Sequence, residues 1–291
     1  MHRTIAVKAP AKLNLSLDIL GLRHDGYHFM KMLMQTVDIF DDITIETGSG
    51  GGITLDCDFP ELDTGASNLA VRAAQAFCGA TGFHREGMRI RLEKRIPLQA
   101  GLAGGSADAA GVLVGLNALL ERPMASEELC MLGAQLGADV PFCIVGGTLL
   151  AEGIGEVLTP LPSLPSCAIV VAKPDTGVST ASAFTRYDAE SWQRQRPDTD
   201  SLISAIVTGD LAQLAAEMRN VLEDPKDVQT AGMKALMREQ GALGAMLTGS
   251  GSAVFGIFES RRRAAKCQSV LAKELSFAAV CAPCGGPVIM E

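Results

Sequence analysis

The stretch Pro97-Leu98-Gln99-Ala100-Gly101-Leu102-Ala103-Gly104-Gly105-Ser106-Ala107-Asp108-Ala109-Ala110 sets three glycines and a serine between an alternating segment and a small-residue helix. Glycines let backbone N–H groups approach an anion, because no Cβ holds the ligand away. A helix starting near Ser106 adds the positive end of its dipole, so the segment is a candidate phosphate cradle. It is neither a Walker loop, since no Lys-Ser or Lys-Thr follows the last glycine, nor the G-x-G-x-x-G dinucleotide fingerprint. An ordinary Gly-rich turn with Ser106 as helix cap fits the same spacing. Asp139 follows a helix stop at Gly137 and precedes Pro141, which puts a carboxylate at a fixed turn. Cys281-Ala282-Pro283-Cys284 is a C-x-x-C pair that could be redox-active or half a zinc site, but no second pair or His cluster accompanies it.

The elements that position these residues belong to a chain of 291 residues, long enough for two modest domains. Hydrophobic residues are 47% and charged residues 20%, globular proportions that exclude disordered and fibrous classes. A formal charge of −8 argues against a nucleic acid polymer or an anionic membrane as partner, so an anionic ligand must be held locally. The start, Met1 to Lys8, lacks the apolar core of a signal peptide, and a cytoplasmic protein is expected. Most cysteines lie singly in apolar runs, which fits a reducing compartment. Gln240 to Phe258 is uncharged, but its five glycines make it a Gly-rich loop between strands rather than a membrane span.

Periodicity predicts strands at Thr4–Lys8, Leu13–Ile19, Ile43–Glu46 and Ile53–Asp58, the last two split by the turn Gly48–Gly52. Helices are expected at Asn68–Cys78, Ser106–Leu120 and Glu127–Leu136, with an alternating strand at Met88–Glu93. The Pro-rich passage Pro160–Pro165 marks a boundary between domains at 1–160 and 161–291. Beyond it come a strand at Ala168–Ala172, helices near Asp200–Thr208, Leu211–Leu222 and Val228–Gln240, and a strand-loop-strand unit at Ala245–Phe258. A charged helix, Arg261–Leu275, and a strand, Phe277–Ala282, complete the chain. Helices and strands mix without strict alternation, which favours an α+β fold.

Pro97-x-x-x-Gly101-Leu102-Ala103-Gly104-Gly105-Ser106 resembles the phosphate loop of the GHMP kinases, whose members include galactokinase, homoserine kinase and mevalonate kinase. Ala9-Pro10-Ala11-Lys12-Leu13-Asn14-Leu15 is similar to the family's N-terminal A-x-A-K-x-N strand, and Gly137-Ala138-Asp139-Val140-Pro141-Phe142 to its G-x-D-V-P-F segment. Leu247-Thr248-Gly249-Ser250-Gly251-Ser252-Ala253 is similar to its late Gly-rich loop. Four motifs in the family's order are far more specific than any one. Asp25-Gly26-Tyr27-His28 and the segment Gly177–Phe184 resemble the base-holding elements of members whose acceptor carries a cytidine diphosphate. The third loop position is Ala103 where many members have Gly, and Ala107 stands where a second Ser is common.

The resemblance implies a two-domain α+β fold: a ribosomal-protein-S5-like nucleotide-binding domain, then a ferredoxin-like domain. It implies ATP and Mg²⁺ as cofactors, with Pro97, Gly101, Leu102, Ala103, Gly104, Gly105, Ser106 and Ala107 at the nucleotide and the Ser106 hydroxyl available to the metal. Asp139 would take or orient the acceptor proton, with Lys12 as its cationic partner. Asn14, Tyr27, His28, Thr180, Phe184, Gly249 and Ser250 would hold a small cytidylated polyol; Tyr27 and Phe184 can stack on a pyrimidine, and His28 can bond its polar edge. Asp108 is expected to be structural, complementing the helix dipole. A related kinase with another small acceptor, or a silent nucleotide-binding sensor, are the competing readings. The protein is expected to be a monomer or homodimer.

Overall fold

The computed structural model describes residues 3–48, 51–83, 87–190 and 194–290. Met1 and His2 of the chain start, and Ser49 and Gly50 of the expected Gly48–Gly52 turn, lie outside the described residues. The first sheet is dominated by two strands, β1 (Arg3–Leu22) and β2 (His28–Thr47), paired antiparallel along their length. From the sequence, β1 is expected as two pieces and β2 only from Ile43. The reason is burial on both faces: Ala9 to Leu17 are all buried, so the alternation that marks a one-sided strand is absent. Three register shifts, at Pro10/Ala11, Asn14/Ser16 and Ile19/Gly21, bend the pair.

β3 (Ile53–Cys57) pairs in parallel with β4 (Met88–Glu93), and β4 inserts between β3 and β2, so the sequence-adjacent pair β2 and β3 are not neighbours. α1 (Leu69–Thr81), capped by Asn68, and α2 (Gly104–Leu119) cover one face of this sheet. α2 lies close on β1 and β2 because Gly111 and Gly115 meet Ile43, Val7 and Ile45 where a Cβ would intrude. α3 (Ser126–Ala134) starts one residue before the position expected for its first turn. Ala125 holds the cap position, and its N–H donates to Glu128. The six-residue α4 (Val140–Val145) begins just after Asp139. β5 (Thr148–Gly153) pairs with the first half of β2, and β6 (Val157–Pro160) pairs with β5.

The second sheet has the order β10-β7-β9-β8 and is antiparallel throughout, built from β7 (Ala168–Lys173), β8 (Gly244–Leu247), β9 (Val254–Phe258) and β10 (Phe277–Cys281). Between β7 and β8 run α5 (Thr180–Ala189), α6 (Thr199–Thr208), α7 (Leu211–Glu217) and α8 (Val228–Glu239); α9 (Arg261–Leu271) follows β9. Met233, Met237, Ala264, Cys267 and Leu271 of α8 and α9 bury one face of the sheet against Val170, Val254 and Phe258. α7 ends at Glu217, earlier than expected, because Met218 turns extended and the chain crosses to β1: Leu17 donates to Arg219 O and Val221 to Leu17 O, each at 3.0 Å. β11 (Val288–Met290) returns to the first sheet as a partner of β1.

Candidate active site

Lys12 and Asn14 are two residues apart on β1 and so share a face. Both are buried, and Lys12 Nζ donates to Asn14 Oδ1 at 2.6 Å. Lys12 Nζ is also 3.9 Å from Asp139 Oδ2. Asp139 occupies the cap position of α4 but accepts no capping bond with its side chain, which is one-third exposed and free to act elsewhere. The expected pairing of a lysine and a carboxylate far apart in the chain is therefore realised.

The glycine segment bends around Gly101, whose φ of +74° belongs to the left-handed region. A Cβ at Gly101 would collide with the carbonyl oxygen of Thr248, so the two Gly-rich loops lie against one another. Ala253 N–H to Ala100 O at 3.1 Å closes the same contact, and Lys12 N–H to Leu102 O at 3.1 Å ties the loop to β1. α2 starts at Gly104, two residues before the expected Ser106, with Ala103 as cap at φ 57°. The first helical hydrogen bond is Ala107 N–H to Ala103 O at 2.8 Å. The amides of Gly104, Gly105 and Ser106 precede it and have no partner within the helix. Ala107 itself is buried with its N–H engaged, and it does not line the cavity lined by Gly101 to Ser106.

Lys12, Asn14, Pro97, Gly101 to Ser106, Asp139, Thr180, Phe184, Gly249 and Ser250 all line one cavity of about 430 Å³. Thr180 Oγ1 and Ser250 Oγ lie 3.2 Å apart, joining α5 to the second Gly-rich loop. Tyr27 and His28 do not line this cavity. Tyr27 sits at the β1–β2 turn, 61% exposed. The His28 ring stacks on Phe184, with centroids 5.0 Å apart, and its Nε2 is 2.9 Å from Asp188 Oδ1. The ring facing Phe184 is thus the imidazole rather than Tyr27.

Three functional features were not visible in the sequence. Beneath the glycine loop, Lys94 bridges Asp41 of β2 and Asp108 of α2; the Asp108 bond is 2.7 Å, and all three side chains are buried. Asp41 also accepts the amides of Arg95 and Ile96, fixing the entry to the loop. Burial pushes the Asp108 carboxyl well above the ordinary range, against the pull of Lys94. Burial alone would lower Lys94, but Asp108 and Asp41 overcome it and hold the ammonium raised. Asp108 is structural, as expected, but as the partner of Lys94 rather than through the helix dipole: α2 begins at Gly104 and has no acidic residue in its first turn. The second feature is Asn220, whose Nδ2 donates to Leu247 O at 3.0 Å and Gly249 O at 2.8 Å, setting the second loop. The third is Asp188 against His28. No local signal identifies any of them, since each acts on residues distant in sequence.

Oxygen donors and phosphate suit Mg²⁺, and Ser106 Oγ and the Asp139 carboxylate are among the oxygen-bearing side chains that line the cavity. No cluster of three His, Cys, Asp or Glu side chains able to hold a metal occurs among the described residues, the Cys281 and Cys284 pair included. Both of these cysteines are free thiols.

A glycine cradle at a helix start, facing a lysine and an aspartate, is a phosphoryl-transfer arrangement. Residues 68–147 match the GHMP kinases N terminal domain and residues 202–276 the GHMP kinases C terminal domain, and the chain belongs to the GHMP kinase family. It is 44% identical over 265 residues to the 4-diphosphocytidyl-2-C-methyl-D-erythritol kinase of Alkaliphilus metalliredigens, covering 90% of each chain. It is 45% identical over 264 residues to that of Acetivibrio thermocellus, covering 90% of this chain and 92% of the other. A crystal structure of 4-(cytidine 5'-diphospho)-2C-methyl-D-erythritol kinase superposes with a TM-score of 0.80 at 35% identity, over 98% of this chain and 100% of the other. Within the GHMP kinases, the chain belongs to the 4-diphosphocytidyl-2-C-methyl-D-erythritol kinase family. A homoserine kinase of Cytophaga hutchinsonii, at 20% identity and a TM-score of 0.77, shares the fold.

Proposed function

We propose that the chain transfers the terminal phosphoryl group of ATP to the 2-hydroxyl of 4-diphosphocytidyl-2-C-methyl-D-erythritol, giving the 2-phosphate and ADP. This is a step of the non-mevalonate route to isoprenoid precursors, and we place it in the cytoplasm. The observation that carries the reading is the Lys12–Asp139 pair, 3.9 Å apart in the cavity that the glycine loop also lines. The free amides of Gly104, Gly105 and Ser106 hold the phosphates, and the α2 dipole adds to their field. Asp139 accepts or orients the acceptor hydroxyl proton, while Lys12, fixed by Asn14, stabilises charge on the acceptor oxygen. Mg²⁺ bound with ATP would be held by the Ser106 hydroxyl and would offset charge on the phosphates. Thr180, Ser250 and Gly249 border the acceptor, and Phe184 with His28 receives its base.

The division into an ATP-binding domain, 1–160, and a second domain, 161–291, belongs to the same proposal. It is supported by the end of β6 at Pro160 and the start of the second sheet at Ala168, with β11 strapping back to the first sheet. No described helix is long and apolar enough to cross a membrane.

An ADP-release assay run with the cytidylated acceptor, with mevalonate, with homoserine and with no acceptor tests the function. ADP formed with the cytidylated acceptor alone is the expected result. Turnover with another acceptor, or nucleotide binding with no turnover, would replace the proposal with a related kinase or a sensor.

A further inference from the structure

A second cavity, of about 570 Å³, opens beside the crossing segment Met218–Pro225, α8 and β8, all in the C-terminal half. Its walls carry Arg194, Arg219, Lys234 and Arg238 against two carboxylates, Glu223 and Asp224, a local excess of positive charge in a chain of net −8. Both carboxylates are already engaged, Glu223 with Lys234 at 2.7 Å and Asp224 with Arg186 at 3.8 Å. Arg219 and Arg238 have no carboxylate partner among the described residues. Arg219 is braced through Nη1 by the carbonyls of Ala216 and Met218, both at 2.7 Å, and through Nε by Gln195. Arg238 is braced through Nη2 by Ala245 O at 2.9 Å. A guanidinium has five N–H donors, so each keeps unused donors on a head whose position is already set.

The site is separate from the catalytic cavity. Arg219, Asn220 and Val221 face the second cavity, whereas Leu222 lines the first, so the crossing segment is the wall between them. Its bonds to Leu17 of β1 and to Leu247 and Gly249 hold that wall in place. Guanidinium groups match phosphate oxygens in charge and in fork geometry, and a pair free of carboxylates retains its charge for a ligand.

We propose that this second cavity is a binding site for a small phosphate-bearing anion, a diphosphate or a phosphate monoester, held by Arg219 and Arg238. Calorimetric titration of the full chain, kept saturated with a non-hydrolysable ATP analogue so that the glycine cradle is filled, tests it with inorganic diphosphate and with glycerol phosphate. One-site binding of at least one probe is expected, weakened about ten-fold or more in R219Q/R238Q. Tighter binding of inorganic diphosphate identifies the diphosphate group as ligand, and tighter binding of glycerol phosphate the monoester. Lack of binding by both probes, or equal binding by wild type and variant, overturns the proposal. Arg238 is exposed, so R238Q alone keeps the comparison available if the double variant does not fold; its binding is expected to weaken in the same direction.

Discussion

The Asp139 carboxylate makes no capping bond in α4, and Lys12 is buried with one side-chain acceptor and the Asp139 carboxylate as neighbours. A one-third exposed carboxylate that lines a cavity beside a buried ammonium is expected to act on a ligand. Asp139→Asn and Lys12→Ala should therefore lower kcat by about 10²- to 10⁴-fold while leaving ATP affinity within a few-fold, as measured by turnover and nucleotide titration. Near-normal kcat in both variants would remove the catalytic assignment. His28 and Phe184 make a different prediction, because their rings stack on one another and neither belongs to the glycine loop. Phe184→Ala and His28→Ala should raise KM for the cytidylated acceptor and leave KM for ATP nearly unchanged. Equal weakening of both substrates would show that these rings do not form the base pocket.

At the level of elements, the site depends on two loops packed back to back and on a charged pin below them. Gly101→Ala would place a Cβ against Thr248 O at a left-handed φ. The substitution is expected to destabilise by about 1–3 kcal/mol, read as a lower melting temperature. Gly105, which has a single side-chain atom at 3.4 Å and ordinary helical φ, is the control: Gly105→Ala should leave the melting temperature unchanged or raise it. Lys94 joins β2, α2 and the entry to the loop. Lys94→Ala leaves two buried carboxylates without their cation, a change that typically destabilises by about 3–5 kcal/mol. Urea denaturation of the variant should show it, and Asp108→Asn combined with Lys94→Ala should recover part of the loss by removing one of those carboxylates.

For the whole molecule, the thiols report how tightly the C-terminal half is closed. All eight cysteines are free. Burial raises Cys167 and Cys267 to about 11 and Cys284 to about 12, and pushes Cys281 well above the ordinary thiol value. A raised folded pKa means that the folded state retains protons that the unfolded state releases. The contribution of these thiols is thus fully present below about pH 8.5, and it falls as pH rises towards 11–12. The urea midpoint should therefore be lower at pH 10 than at pH 8. Iodoacetamide at pH 8 should modify Cys281 and Cys284 slowly in the native protein and rapidly in urea. Fast native alkylation of this pair would restore the redox reading of the C-x-x-C motif. The division of labour between the two sheets also belongs to this scale. The first carries Lys12 and the glycine loop at Gly101, the second carries the loop at Gly249, and the crossing segment and β11 fasten one to the other.

Sequence alone was enough for the glycine cradle, for Asp139 at its turn, for the four ordered segments that mark the family, and for most helices. Each of these is written in a few adjacent residues whose backbone preferences or spacing act locally. The two long strands were only partly legible, because burial on both faces erases alternation. The Lys94 pin, the Asn220 clamp, the His28–Phe184 stack, the start of α2 at Gly104 and the second basic cavity were decided by the tertiary structure. Each brings together groups far apart in the chain or depends on where a helix begins, and such contacts are set by how the sheets and helices pack, which no local pattern records.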